Sequence, residues 1–224
     1  MNDSVLNKIT AFFWHIFCLN LIFVASNVVL LGVLLFVVFH WITMPVYLVA
    51  LFLLIVSLQA MLLTLKRSGQ VDEMTVFRRY MLCFREAFKN WSLYAISYLS
   101  IAVILGVGYV NIHLIRTNQF LFTSTYLLLF ILLYIHFIFG MLIQIHFVID
   151  LKGTWKLGLY CVSKHPFYCL LIFVKTLIVV WVIQIIPALL FLGIIPLFGH
   201  STIKMTEKVF EALKVTLLDT KNES

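Results

Sequence analysis

Apolar residues in this chain gather into five long runs, at roughly 11–39, 46–65, 91–112, 121–149 and 167–198, and the basic residues collect between them. A bilayer hydrocarbon core about 30 Å thick is crossed by about 20 helical residues rising 1.5 Å each. Each run is too long for a barrel strand of about 10 residues, and none alternates strictly between apolar and polar positions. The pattern predicts an all-α, polytopic membrane protein: five transmembrane helices with one or two amphipathic interfacial helices. No linker, low-complexity stretch or separate soluble segment interrupts it, so residues 1–224 read as a single transmembrane domain with a C-terminal tail at 201–224.

The segment 71–90 has a pattern of its own. Met74, Phe77, Met81, Phe84 and Phe88 recur at three- and four-residue spacing, flanked by Tyr80 and Trp91, while Arg78, Arg79, Arg85, Glu86 and Lys89 fall on the other face. This spacing predicts an amphipathic helix on the inner membrane surface or packed beneath the spans. One reading is a connector that covers span ends. The other is a docking surface for a partner protein or anionic lipid, formed by Phe77, Arg78, Arg79, Phe84, Arg85, Phe88, Lys89 and Trp91. The next basic stretch, 150–166, is a weaker copy: a shift of 78 residues superposes Phe77 on Trp155, Arg78 on Lys156 and Cys83 on Cys161.

Charge sets the orientation. Lys66, Arg67, Arg78, Arg79, Arg85 and Lys89 follow the second run, and Lys152, Lys156 and Lys164 follow the fourth, whereas Arg116 alone serves the connections at 40–45 and 113–120. The positive-inside rule places the two basic stretches and Lys8 in the cytoplasm. A full fifth crossing leaves the C-terminus outside. Pro187, Pro196, Gly193 and Gly199 allow a second arrangement, a re-entrant hairpin that returns the tail.

Composition narrows the function classes. The chain is 63% hydrophobic and 11% charged, against about 25% charged in soluble domains. Its net charge of +7 sits beside membrane spans, which reads as topology and lipid contact rather than nucleic-acid binding. Cys18, Cys83, Cys161 and Cys169 form no CxxC pair and are expected as free thiols. No GxSxG, P-loop, GxGxxG or paired intramembrane carboxylates occur, so neither an enzyme nor a cofactor site is expected. His40, His113 and His200, near the outer span ends, lack any HxxH or HExxH spacing.

Polar groups inside the runs are few. Asn20 and Asn27 share a face of the first span, and Gln59 and Gln144 lie in later ones. They serve either as hydrogen-bonding glue between helices or as the lining of a solute path, which is the alternative function of a small transporter or channel. Lys175 is the basic residue embedded in the fifth run. With no intramembrane acid to meet it, it is expected to snorkel toward the interface without a partner.

Several local features together resemble the YesL-like family of bacterial integral membrane proteins, a family of unknown function. They are Leu19-Asn20-Leu21 in the first span, Met44-Pro45-Val46-Tyr47 at the entry to the second, Phe77-Arg78 through Phe84-Arg85-Glu86-Ala87-Phe88-Lys89-Asn90-Trp91 leading into the third, and His165-Pro166 at the turn into the fifth. The likeness covers about residues 10–200. It implies a plasma-membrane protein that accompanies a transport system, of the ATP-driven carbohydrate-uptake kind, and it brings no catalytic or binding residues with it.

Overall fold

A computed structural model describes residues 2–38, 40, 42–67, 75–115, 119–147 and 149–222. The side chains of Lys8, Trp41, Met74, His113 and Arg116 lie outside what it describes. Among the described residues the secondary structure is helical throughout: α1 Asn2–Ser26, α2 Val28–Phe36, α3 Met44–Arg67, α4 Val76–Ile115, α5 Gln119–His146, α6 Leu151–Lys164, α7 Pro166–Ile185, α8 Leu189–Leu192 and α9 Ile194–Asn222. Five of these helices (α1, α3, α4, α5 and α7) are long and apolar enough to cross a membrane. That agrees with the expected multi-pass, all-α class.

α3 is the central element. Its second half, from Val56 to Leu65, is buried at nearly every position and packs against α1, α4, α5 and α9. Burial on all sides suits a Leu-rich segment with no charge before Lys66. The outer surface is apolar in the opposite sense: Leu35, Phe36, Leu93, Ile104, Leu127 and Trp181 stand exposed. Such a surface is stable only when hydrocarbon covers it.

The first run is interrupted at Asn27, which stands between α1 and α2. The Ser26 hydroxyl and the Asn27 amide both donate to the Phe23 carbonyl, at 2.8 Å each, and the Asn27 N–H is shared between Phe23 and Val24. Side chains that bond back to the preceding turn loosen the helical ladder and bend it.

The amphipathic segment and the third span are one helix rather than two. α4 runs for 40 residues, about 60 Å at 1.5 Å per residue. The reason is a buried stripe that continues without a break: Tyr80, Cys83, Ala87, Trp91, Tyr94 and Tyr98. This stripe is rotated from the expected one. Phe77, Met81 and Phe88 are about half exposed or more, and of the described members of that set Phe84 is the one partly buried against the core, stacking beside Tyr80. Small and polar-tipped residues face the bundle here because α1 and α3 approach closely and offer hydroxyls. Tyr80 meets Ser26 at 2.8 Å.

α6 is a separate amphipathic helix. Asp150 caps it by accepting from the Gly153 N–H at 2.9 Å, which satisfies a free first-turn donor. Pro166 opens α7, where its missing N–H costs nothing.

The run 167–198 is not one unbroken helix. α7 ends before Pro187, a residue that disfavours helical geometry at the position preceding it, and α8 stops at Gly193, whose φ of 105° is readily adopted by glycine. α9 then packs back on the bundle, with Gly199 against Leu62 and Leu65 and Phe210 against His146. The C-terminal helix therefore comes to the end of the molecule at which α3 and α5 finish. α7, 20 residues long, is by itself long and apolar enough to cross a membrane; the chain then turns at α8 so that α9 runs back along the bundle, and the 201–224 segment is helix as far as Asn222.

Candidate functional site

The aromatic-basic segment divides into an inner and an outer set. Trp91 is 2% exposed and Arg79 9%, so neither is open to a docking partner while α4 holds its place. Phe84 is partly covered. Phe77, Arg78, Arg85, Phe88 and Lys89 remain on the outer surface. Arg67 anchors this part of α4 through two short bonds to the Glu86 carboxylate, 2.7 and 2.9 Å. Bidentate geometry fixes orientation as well as distance.

The four amides do not converge. Asn20 donates to the carbonyls of Leu190 and Phe191, at 2.9 Å each, and so holds α8. Asn27 meets Ser57 of α3 at 2.7 Å. Gln59 reaches the Met141 carbonyl of α5 at 3.3 Å, and Gln144 the Thr154 hydroxyl of α6 at 2.6 Å. Each joins a different pair of elements, as helix glue does. Two oxygens, Oδ1 of Asn20 and Oε1 of Gln59, are buried and left unbonded by protein. Lys175 does have partners, in contrast to expectation: its ammonium lies 2.9 Å from the Ser201 hydroxyl and 3.4 Å from that of Thr202, with the Phe198 ring 5.5 Å away. Neutral hydroxyls on α9 take the place of an acid.

A cluster that the apolar pattern did not reveal lies where α4, α5 and α6 meet. The Trp155 ring is stacked near that of Tyr98 (4.7 Å between centroids) and of His136 (4.6 Å), and His136 Nε2 is 3.1 Å from the Trp155 carbonyl. Gly158 makes room for the imidazole and Gly140 for the Tyr94 hydroxyl. The three- and four-residue spacing of Trp91, Tyr94 and Tyr98 was the available signal. Beside this cluster, Glu86, Asn90, Tyr94, Gln144 and Asp150 line a polar cleft of about 280 Å³. Glu86 is committed to Arg67 and Asp150 to capping α6, so its acids already have work.

Among the described residues no three His, Cys, Asp or Glu side chains come together to hold an ion, and the His200 ring packs on Phe12. The four cysteines are free. Burial pushes the Cys161 thiol up to about 12, which keeps it protonated and unreactive at neutral pH. Comparison of the chain with known protein families, characterised proteins and solved structures gives no match.

Proposed function

We propose that this chain is a non-enzymatic integral membrane protein of the plasma membrane, an accessory subunit that stands beside a transport or sensing system. Its basic end, carrying Arg67, Arg78 and Lys152, lies on the cytoplasmic side. The observation that carries this reading is the exposed start of α4. Phe77 (60% exposed), Arg78 and Met81 form an aromatic-cationic edge on a helix whose other face is locked into the bundle. Exposed aromatic and arginine side chains on a rigid helix are the residue types that anchor protein interfaces. The resemblance to the YesL-like family favours a carbohydrate-uptake system as the partner.

A photo-crosslinking residue at position 77 or 78 tests this in the native membrane. The expected product is one reproducible protein adduct, lost when Arg78 is replaced by Glu. Adducts to lipid alone contradict the reading.

A solute path is the second reading. The unbonded oxygens of Asn20 and Gln59 favour it, because buried acceptors seek water or ligand. The dispersal of the amides over separate helix contacts weighs against it. Flux of small solutes into liposomes holding the purified protein alone decides between the two readings.

A further inference from the structure

α4 carries one straight outer line of side chains whose character changes along its length. Arg78, Arg85, Lys89, Ile96, Ser100 and Val103 share an arc roughly 60° wide when residues are spaced by about 100°. The cationic members are exposed, and neither Arg85 nor Lys89 has an ion pair among the described residues. The apolar members form one wall of a crevice of about 550 Å³, and Leu48, Val49 and Phe52 of α3 form the other. Phe88, one residue before Lys89, packs edge-on against the lining residue Phe52, 5.9 Å between ring centroids.

We infer that this crevice holds an acyl chain of an anionic phospholipid whose headgroup is bound by Arg85 and Lys89. The dimensions agree. Ile96 lies seven residues beyond Lys89, about 10 Å along the axis, and Ile104 about 22 Å. One leaflet of hydrocarbon is about 15 Å deep. A tail hanging from a headgroup at Lys89 therefore passes over Leu93 and enters the crevice at Ile96. The cavity suits a single chain, and its walls offer only the Ser100 hydroxyl as a polar group, so a polar solute gains nothing there. The two cations supply what hydrocarbon alone does not, a preference for a negatively charged headgroup. This site is distinct from the docking edge at Phe77 and Arg78 and does not depend on it.

Native mass spectrometry of the purified chain, exchanged into mixed micelles of phosphatidylglycerol and phosphatidylcholine, reads the preference directly. The expected result is retention of phosphatidylglycerol over phosphatidylcholine by roughly thirtyfold, from two basic side chains near the surface. The double variant Arg85→Gln/Lys89→Gln brings the ratio close to one, and its unchanged melting temperature in lipid-free detergent certifies the fold. Leu99→Trp, which fills the crevice and leaves the charges in place, lowers retention of both lipids. Lys152→Gln/Lys156→Gln, which removes the same charge from α6, leaves the ratio as it was. The inference is overturned if the parent chain shows no headgroup preference, if the Arg85/Lys89 variant keeps it, or if the α6 variant loses it equally. A photo-crosslinker at position 85 that yields only protein adducts also overturns it.

Discussion

The side-chain amide of Asn20 lies 2.9 Å from the carbonyl oxygen of Leu190, a residue 170 positions later in the chain. With the matching bond to Phe191, this contact closes the α7–α8–α9 hairpin onto α1. Gly193, turning directly after α8, packs against Ile16 and the Cβ of Asn20. A terminal helix carbonyl with no amide to meet is costly in an apolar setting. Asn20→Leu should therefore lower stability by about 1–4 kcal/mol, taking each of the two lost bonds at about 0.6–2 kcal/mol. Thermal unfolding in detergent measures the loss. Limited proteolysis should show the 186–193 segment cut first.

The Arg67–Glu86 pair ties the end of α3 to α4, but both side chains are about 40% exposed. Solvent screening holds its contribution to about 0.5–1 kcal/mol. A double-mutant cycle with Arg67→Ala and Glu86→Ala should return a coupling of that size, falling as salt is raised. Coupling above about 3 kcal/mol contradicts this account of a half-exposed pair.

Glycines separate packing from propensity. A methyl group added at Gly140 meets the Tyr94 hydroxyl, and one at Gly158 lies 2.7 Å from His136 Nε2, whereas nothing stands within 4 Å at Gly106. Gly140→Ala and Gly158→Ala should each destabilise by about 1–3 kcal/mol through overpacking. Gly106→Ala should be neutral or slightly stabilising, because Ala is the better helix former. Equal effects at all three positions would show that the α4–α5–α6 junction is looser than described.

Cysteine labelling probes the same junction. With the Cys161 thiol pushed to about 12 by burial, the reactive thiolate is almost absent at pH 8. A variant retaining only Cys161 should label with maleimide at a negligible rate between pH 7 and 9, then rapidly after unfolding in sodium dodecyl sulfate. Fast labelling of the folded chain at pH 8 means that α6 opens.

Much of the helical content could be read from the chain because lipid makes helix length and apolar composition decisive; α3, α5 and the span part of α4 follow their runs closely. Two features escaped that reading, and a third, the return of the tail, was one of two arrangements it left open. The rotation of the 76–91 face was hidden because Tyr80, Cys83 and Trp91 pack as core yet carry polar atoms, while Phe77 and Phe88 face outward where lipid or a partner meets them. The break at Asn27 is accompanied by side-chain bonds to Phe23, which a hydropathy profile does not register. The return of α9 depends on contacts far apart in sequence, Asn20 with Leu190 and His146 with Phe210. The aromatic-basic segment lies on α4 as a helix, but which of its residues remain exposed is a property of the neighbours that cover Arg79 and Trp91.

The account rests on the basic turns and the returning helix α9 sharing one side of the membrane. Single cysteines placed at positions 85, 152 and 208 of a cysteine-free chain, with a fourth at exposed position 42, report this through a membrane-impermeant maleimide applied to intact and then permeabilised cells. Labelling of position 42 in intact cells, and of 85, 152 and 208 only after permeabilisation, is the predicted result. Labelling of position 208 from the same side as position 42 contradicts it.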